Sequence, residues 1–256
     1  MLLFMKNVVH PGVPDCYGIN MVSHCRTFSI RNAVFESESL CCTGEGKRHR
    51  WIALPARSGV GLREEGAMRP FYQGKLDVFC AVYAMLNAFQ QLHSMSAWQA
   101  KRVLGELLSR LPDEMPDSWN DLVWNRTDYV WLVEWLVAEY GKELFPIRAH
   151  RPWADKGNVA PAVVWSGMSG WMGGGGRRTA VFRFQRFLPA REDPVVCHWT
   201  TVDRFMGDTL FLFDASMEET AVHLIDKYGF VCRRENVSAS QLLVVDPACV
   251  FLLETA

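Results

Sequence analysis

The chain has 256 residues, 49% of them apolar and 21% charged, with 27 basic and 28 acidic side chains and a formal net charge of -1. That composition excludes an intrinsically disordered protein and leaves room for one large core or two small ones. The lack of a basic excess argues against nucleic acid as a partner, and no apolar run reaches the roughly 20 residues of a membrane span.

The opening stretch, Met1 to Lys6, has a short apolar patch but no basic region ahead of it, and Pro11 follows soon after. It reads as no secretory peptide, and neither Leu2 nor the final Glu254-Thr255-Ala256 carries a lipidation signal. The expectation is a cytoplasmic protein with no membrane partner, unless it leaves the cell by a signal-independent route. Cysteines stand at 16, 25, 41, 42, 80, 197, 232 and 249, with no C-x-x-C pair. No zinc site, no other metal and no cofactor is expected, and most of these cysteines should be reduced thiols. Residues 1–66 show no sustained period and read as a poorly ordered or mis-started leader, with Met68 as an internal start. Residues 67–256 form the expected domain.

Asp77 precedes the unbroken apolar-rich stretch Val78–Leu92, which predicts a first helix with Asp77 as N-cap. A second helix is predicted over Ala97–Arg110, broken by Pro112 and Pro116. A third, Asp128–Tyr140, is apolar nearly all round and stops at Gly141. Beyond Gly141 the period becomes two. Strands are predicted at Leu144–Ala149, Ala162–Trp165, Ala180–Phe187, Val195–Phe205 and Thr209–Asp214. Weaker ones follow at Val222–Ile225, Gly229–Arg233 and Val250–Leu253. Gly207-Asp208 is a tight-turn signal, so Val195–Phe205 and Thr209–Asp214 should form an antiparallel hairpin. The four glycines 173–176 lack the Lys-Ser/Thr of a phosphate loop and read as a loop between strands. Helices first and strands after is an α+β pattern.

The chemistry concentrates in four residues. With Asp77 as N-cap, Cys80 falls at the third helical position, where free backbone N–H groups and the helix dipole stabilise a thiolate. His198 lies in the strong strand of the hairpin, and Asp214 ends its return strand. A carboxylate there can hold the imidazole tautomer and stabilise the imidazolium, and the imidazole can take the Cys80 proton. Gln73 precedes Cys80 by seven residues, and its amide can join the Cys80 backbone N–H as an oxyanion hole. Asn87 reads as a structural hydrogen bonder, Asp203 as solvated, and Cys197 as facing away from His198.

The segment from Gln73-Gly74-Lys75-Leu76-Asp77-Val78-Phe79-Cys80 to Ala88 resembles the nucleophile helix of papain-like cysteine peptidases. In particular it resembles bacterial members related to the peptidases that trim double-glycine leaders from bacteriocins. His198-Trp199, followed by Gly207-Asp208-Thr209 and Asp214, resembles their His–turn–Asp hairpin. The resemblance implies a papain-like fold, with a helical subdomain whose nucleophile helix packs on a mainly antiparallel sheet. It implies Cys80 as nucleophile, His198 as base, Asp214 as orienting acid and Gln73 as oxyanion donor. Two positions depart from the family: Ala81 stands where it usually has Gly, and Gln73 is one residue farther from the cysteine than usual. The expected activity is hydrolysis of a peptide or isopeptide bond in a peptide or protein substrate, through a covalent acyl-enzyme. The alternatives are a thiol acyltransferase or deamidase using the same triad, and a non-catalytic binding, immunity or adaptor module.

Overall fold

A computed structural model describes residues 68–74, 77–189, 191–216 and 221–256. The expectation of a leader over residues 1–66 lies outside the described residues, as do the four cysteines it contains. Helix α1, Cys80–His93, has no Gly or Pro and is rich in Ala, Leu, Met and Gln, all good helix formers. It starts two residues later than predicted, and its cap is Phe79, whose side chain makes no capping bond. The reason lies in Asp77. Its carboxylate accepts the N–H of Gly74 at 3.0 Å and of Phe79 at 3.2 Å, so it closes the turn before the helix instead of capping the helix. Ser94 ends α1 in the left-handed region (φ 57°), with its N–H on the Gln90 carbonyl.

Helix α2, Ala97–Glu114, opens with a reciprocal Ser96/Gln99 capping box and buries Ala100, Val103, Leu107 and Leu111 along one stripe. It runs through Pro112, contrary to the predicted break. The ring lies in the final turn, and the next bond, Met115 N–H to Leu111 O at 3.0 Å, is intact. Pro116 then opens α3, Pro116–Val123, at the N-terminal position that proline favours; the sequence reading missed this helix. Helix α4, Val130–Tyr140, begins after Tyr129 (φ 64°), and Asp128 Oδ1 accepts the Val130 N–H at 3.0 Å. Gly141 ends it at φ -80°, not in the left-handed conformation of a glycine stop. Glycine is needed there for space, because a Cβ would lie 2.4 Å from the Val137 carbonyl and 2.8 Å from Ile147.

The remaining elements are β1 (Ile147–His150), α5 (Pro161–Met172), β2 (Arg178–Arg186), β3 (Val196–Met206), β4 (Thr209–Leu212), β5 (Leu224–Asp226), β6 (Phe230–Val231) and β7 (Leu243–Thr255). The predicted strand Ala162–Trp165 is therefore the start of a helix. Pro161 sits at its first turn, and Val164, Trp165 and Met168 recur at helical spacing into the core. A β-branched pair inside an apolar run has no period of its own, and length decides between the two readings. The glycine loop 173–176 consequently joins a helix to a strand. The sheet order is β1-β7-β2-β3-β4-β5, antiparallel throughout, and β6 adds to β7 in parallel. The described residues are α+β, with four helices preceding the sheet. No helix among the described residues is long and apolar enough to cross a membrane.

The pleat gives the sheet two different faces. Val181, Trp199, Phe251 and Leu253 join α1–α4 in one core. Phe182, Phe184, Val202 and Leu252 join α5 in another. Thr201 fixes α1 on the first face by donating its hydroxyl to the Ala84 carbonyl at 2.7 Å. Leu86 and Phe89 on α1 are 2% and 0% exposed, and removing such a side chain costs about 2–5 kcal/mol. The helix is therefore a rigid mount for whatever its first residue carries.

Candidate active site

Cys80 is the first residue of α1 and is half-buried. The first intrahelical bond runs from Tyr83 N–H to Phe79 O at 3.0 Å, so the N–H groups of Cys80, Ala81 and Val82 precede the helical ladder. A helix of 14 residues directs its positive end at that point. The placement differs from the predicted third position and brings the sulfur closer to the helix terminus.

His198 and Asp214 come together as a buried pair. His198 Nε2 lies 3.1 Å from Asp214 Oδ2, with the two residues 9% and 4% exposed. They are not ladder partners. β3 and β4 pair as Met206↔Thr209, Phe205↔Leu210 and Arg204↔Phe211, then shift at a bulge to Val202↔Leu212. Phe213 continues the shifted register through its N–H to Thr201 O at 2.8 Å. Asp214 therefore stands opposite Thr200, and His198 reaches it on the diagonal, two residues along the same face. Asp203 is the bulged residue and pairs with Arg204 at the surface.

The opposite edge of the site follows from where β4 stops. His198 pairs with Phe184 on β2, but on the β4 side the ladder begins only at Val202. Pleat alternation aims Trp199 and Thr201 at the helices and His198 away from them. At the open edge the Cys80 side chain nevertheless comes near enough to the His198 ring to act on its charge. With Nε2 committed to Asp214, Nδ1 is the ring nitrogen left for a second partner. Burial disfavours charge on the ring. The bond that the ring makes to the Asp214 carboxylate, and then the nearby Cys80 sulfur, outweigh it and raise the His198 pKa to about 10. Burial also opposes charge on Asp214. Its His198 bond, the nearby Thr200 hydroxyl and the Ser216 N–H overcome that and hold the carboxyl below its ordinary range. The Thr200 hydroxyl is buried and makes no well-aligned hydrogen bond of its own, so its help to Asp214 is a dipole contact.

Gln73 belongs to a short segment tied down at both ends. Phe71 N–H donates to Asn87 Oδ1 at 2.7 Å, and Asn87 Nδ2 returns a bond to Phe71 O at 3.3 Å. Gln73 N–H donates to Ala215 O at 2.9 Å, next to Asp214. The Gln73 amide spends one N–H on Asp77 O at 2.8 Å, and its second has no partner among the described residues. This amide lies before α1 on the strip that joins the helix start to the Asp214 loop. Asn87, fully buried on α1, is the positioning residue that the sequence reading assigned only a generic structural bond. Its position seven residues after Cys80 was the available signal.

Two of the other described thiols, Cys232 and Cys249, are buried. Burial, and then the Asp246 charge, push Cys232 up to about 12 and Cys249 higher still. Among the described residues no group of His, Cys, Asp and Glu is arranged to hold a metal ion. No family model matches the chain, and no curated protein matches it.

Proposed function

We propose that the protein is a papain-like cysteine hydrolase acting on a peptide or isopeptide bond. The observation that carries this reading is one imidazole placed between a buried carboxylate and a thiol at a helix N-terminus. In this mechanism the raised His198 pKa favours an imidazolium facing a Cys80 thiolate. The thiolate attacks the carbonyl carbon, and the oxyanion takes the Cys80 backbone N–H and the unused Gln73 amide proton. His198 Nδ1 gives its proton to the leaving amine, and the acyl group remains on sulfur as a thioester. His198 then takes a proton from water, the hydroxide attacks the thioester, and the acid leaves with the thiolate restored. Asp214 keeps the ring oriented throughout and stabilises its charged form.

The test is selective alkylation. Iodoacetamide at neutral pH should modify Cys80 before Cys232 and Cys249, and His198→Ala should slow Cys80 labelling by about 100-fold. Equal labelling of the three thiols, or an undiminished rate in the variant, would sink the hydrolase and leave a binding module of the same architecture.

A further inference from the structure

The β2–β7 ladder is interrupted at one point. The two strands pair up to Phe182↔Val250 and resume at Phe184↔Val245. One residue of β2, Arg183, therefore faces four of β7, Asp246 to Cys249, that leave the ladder. Arg183 stands between buried Phe182 and Phe184 on a strand flanked by β3 and β7, and the pleat puts it on the same face as the fully buried Val181. A charged side chain at such a position needs a partner. Two cavities open around the excursion. The smaller, about 250 Å³, is walled by Arg183, Gln185, Arg233, Arg234 and Asp246. The larger, about 350 Å³, is walled by Asp155, Lys156, Gly157 and Pro247 and shares Cys232, Arg233 and Asp246 with the smaller. None of Gln73, Cys80, His198 and Asp214 lines either cavity, and Arg183 and Gln185 point to the sheet face opposite His198. Whatever binds here binds independently of the thiol.

The charge of the smaller cavity is unbalanced. Its one carboxylate, Asp246, accepts the Ala248 N–H at 3.0 Å and the Cys249 S–H at 3.4 Å, not an arginine. Arg233 donates to Gly157 O at 2.8 Å, and Arg234 donates to Glu192 O and lies over the Phe187 ring. Both reach a carboxylate, Glu235 at 3.4 Å and Asp193 at 4.0 Å, but these are 65% and 81% exposed and screened by water. Arg183 is half-buried and makes no hydrogen bond or ion pair with a described residue. The wall thus sets three guanidinium groups against one carboxylate, a surplus of about two positive charges, and none of the Arg183 N–H donors is spent on a described residue.

We propose that the smaller cavity binds the phosphate group of a small phosphate monoester, with Arg183 gripping two oxygens through paired N–H bonds and Arg233 and Arg234 meeting the third. The ester's body extends into the larger cavity, whose wall of Asp155, Lys156 and Gly157 suits a hydroxylated molecule. A phosphate monoester carries about -1.5 to -2 charge at neutral pH and three acceptor oxygens, which matches the surplus of the wall and its donors from two chain segments. A carboxylate brings about half that charge and two oxygens. The bound group would join β2 to the segment after β6 across the gap that β7 leaves. This site goes beyond the thiol-hydrolase reading and stands whether or not Cys80 is catalytic.

Calorimetric titration of the full chain at neutral pH tests it, with glucose 6-phosphate, glycerol 3-phosphate, inorganic phosphate, glucose and N-acetylglutamate as probes. At least one of the two esters should saturate a single site, and inorganic phosphate should fill the same site about tenfold more weakly. Glucose and N-acetylglutamate should show no saturable binding at those concentrations. Arg183→Gln and Arg234→Gln should each weaken the ester about tenfold or more. Asp246→Asn should tighten it about threefold, because a repelling charge is gone while the amide oxygen still accepts the Ala248 N–H. Lys156→Gln should weaken the ester and leave inorganic phosphate unchanged. Circular dichroism of each variant checks its fold, and if Arg183→Gln does not fold, Arg234→Gln at its exposed position decides. No saturable binding of any phosphate, or binding that survives the arginine variants, overturns the site. Inorganic phosphate binding as tightly as both esters overturns the monoester, and N-acetylglutamate binding as tightly as the esters overturns the preference for phosphate.

Discussion

Cys80 and Cys249 are both thiols beside ionisable partners, and the two environments differ in the sign of the charge they favour. Cys249 is 2% exposed and sits against the carboxylate of Asp246, so burial and like charge both oppose a thiolate. Cys80 is half-buried at a helix start, beside a ring whose pKa Asp214 helps to raise. Sulfur burial alone does not distinguish a core cysteine from one placed to react. The sign of the neighbouring charge and the free N–H groups do.

The comparison breaks most completely if the ring loses its charge. Asp214→Asn keeps a hydrogen-bonding group of the same size and removes the negative charge. The His198 pKa should fall from about 10, and once it lies below the solution pH each further unit lost lowers the imidazolium fraction about tenfold. Cys80 alkylation at pH 8–9 should drop accordingly, and an NMR titration of the ring would show the shift directly. A ring that still titrates near 10 in the variant would mean that Asp214 is not its stabiliser.

Stability should carry the same signature. His198 has a raised folded pKa, so its contribution is complete below the unfolded value of about 6.5 and fades as pH rises through about 10. Asp214 has a lowered folded pKa, so its contribution is complete above the usual carboxylate range and fades as pH falls through the depressed value. The Tm difference between the native chain and Asp214→Asn should therefore be largest between about pH 4.5 and 6.5 and shrink on both sides. A difference that grows steadily into alkali would contradict the pair as drawn.

The smallest effect sharpens the comparison without touching either thiol. Asn87→Ala leaves the Phe71 N–H and carbonyl without their side-chain partners and should cost about 1–3 kcal/mol by denaturant titration. Hydrogen exchange at Phe71 and Gln73 should rise, while the Cys232 and Cys249 thiols stay as slow as before. No change in exchange at Gln73 would separate Asn87 from the oxyanion segment.

Much of this was legible along the chain, for identifiable reasons. The α1 pattern is unbroken and apolar, so its existence was plain, but its first residue depended on how Asp77 spends its oxygens. Gly207-Asp208 sets a two-residue turn, with Gly207 at φ 59°, so the β3–β4 hairpin was readable. The bulge at Asp203 was not, and it is what puts His198 diagonal to Asp214 instead of opposite it. α5 was read as a strand because Ala162-Val163-Val164-Trp165 favours either form locally, and packing against the sheet decides it. α3 was missed because eight residues between two proline signals look like a linker.

Local order and residue type thus determined α1, α2, α4, the hairpin and the four candidate side chains, because these follow from periods, caps and turns within a dozen residues. Tertiary structure alone decided that β4 stops short and leaves an open edge beside His198. It alone brought Cys80 across more than a hundred positions to that edge, and it made the gap at Arg183. Those outcomes depend on which strands lose their partners, and pairing across a sheet is a balance of burial and hydrogen bonding that no single segment carries.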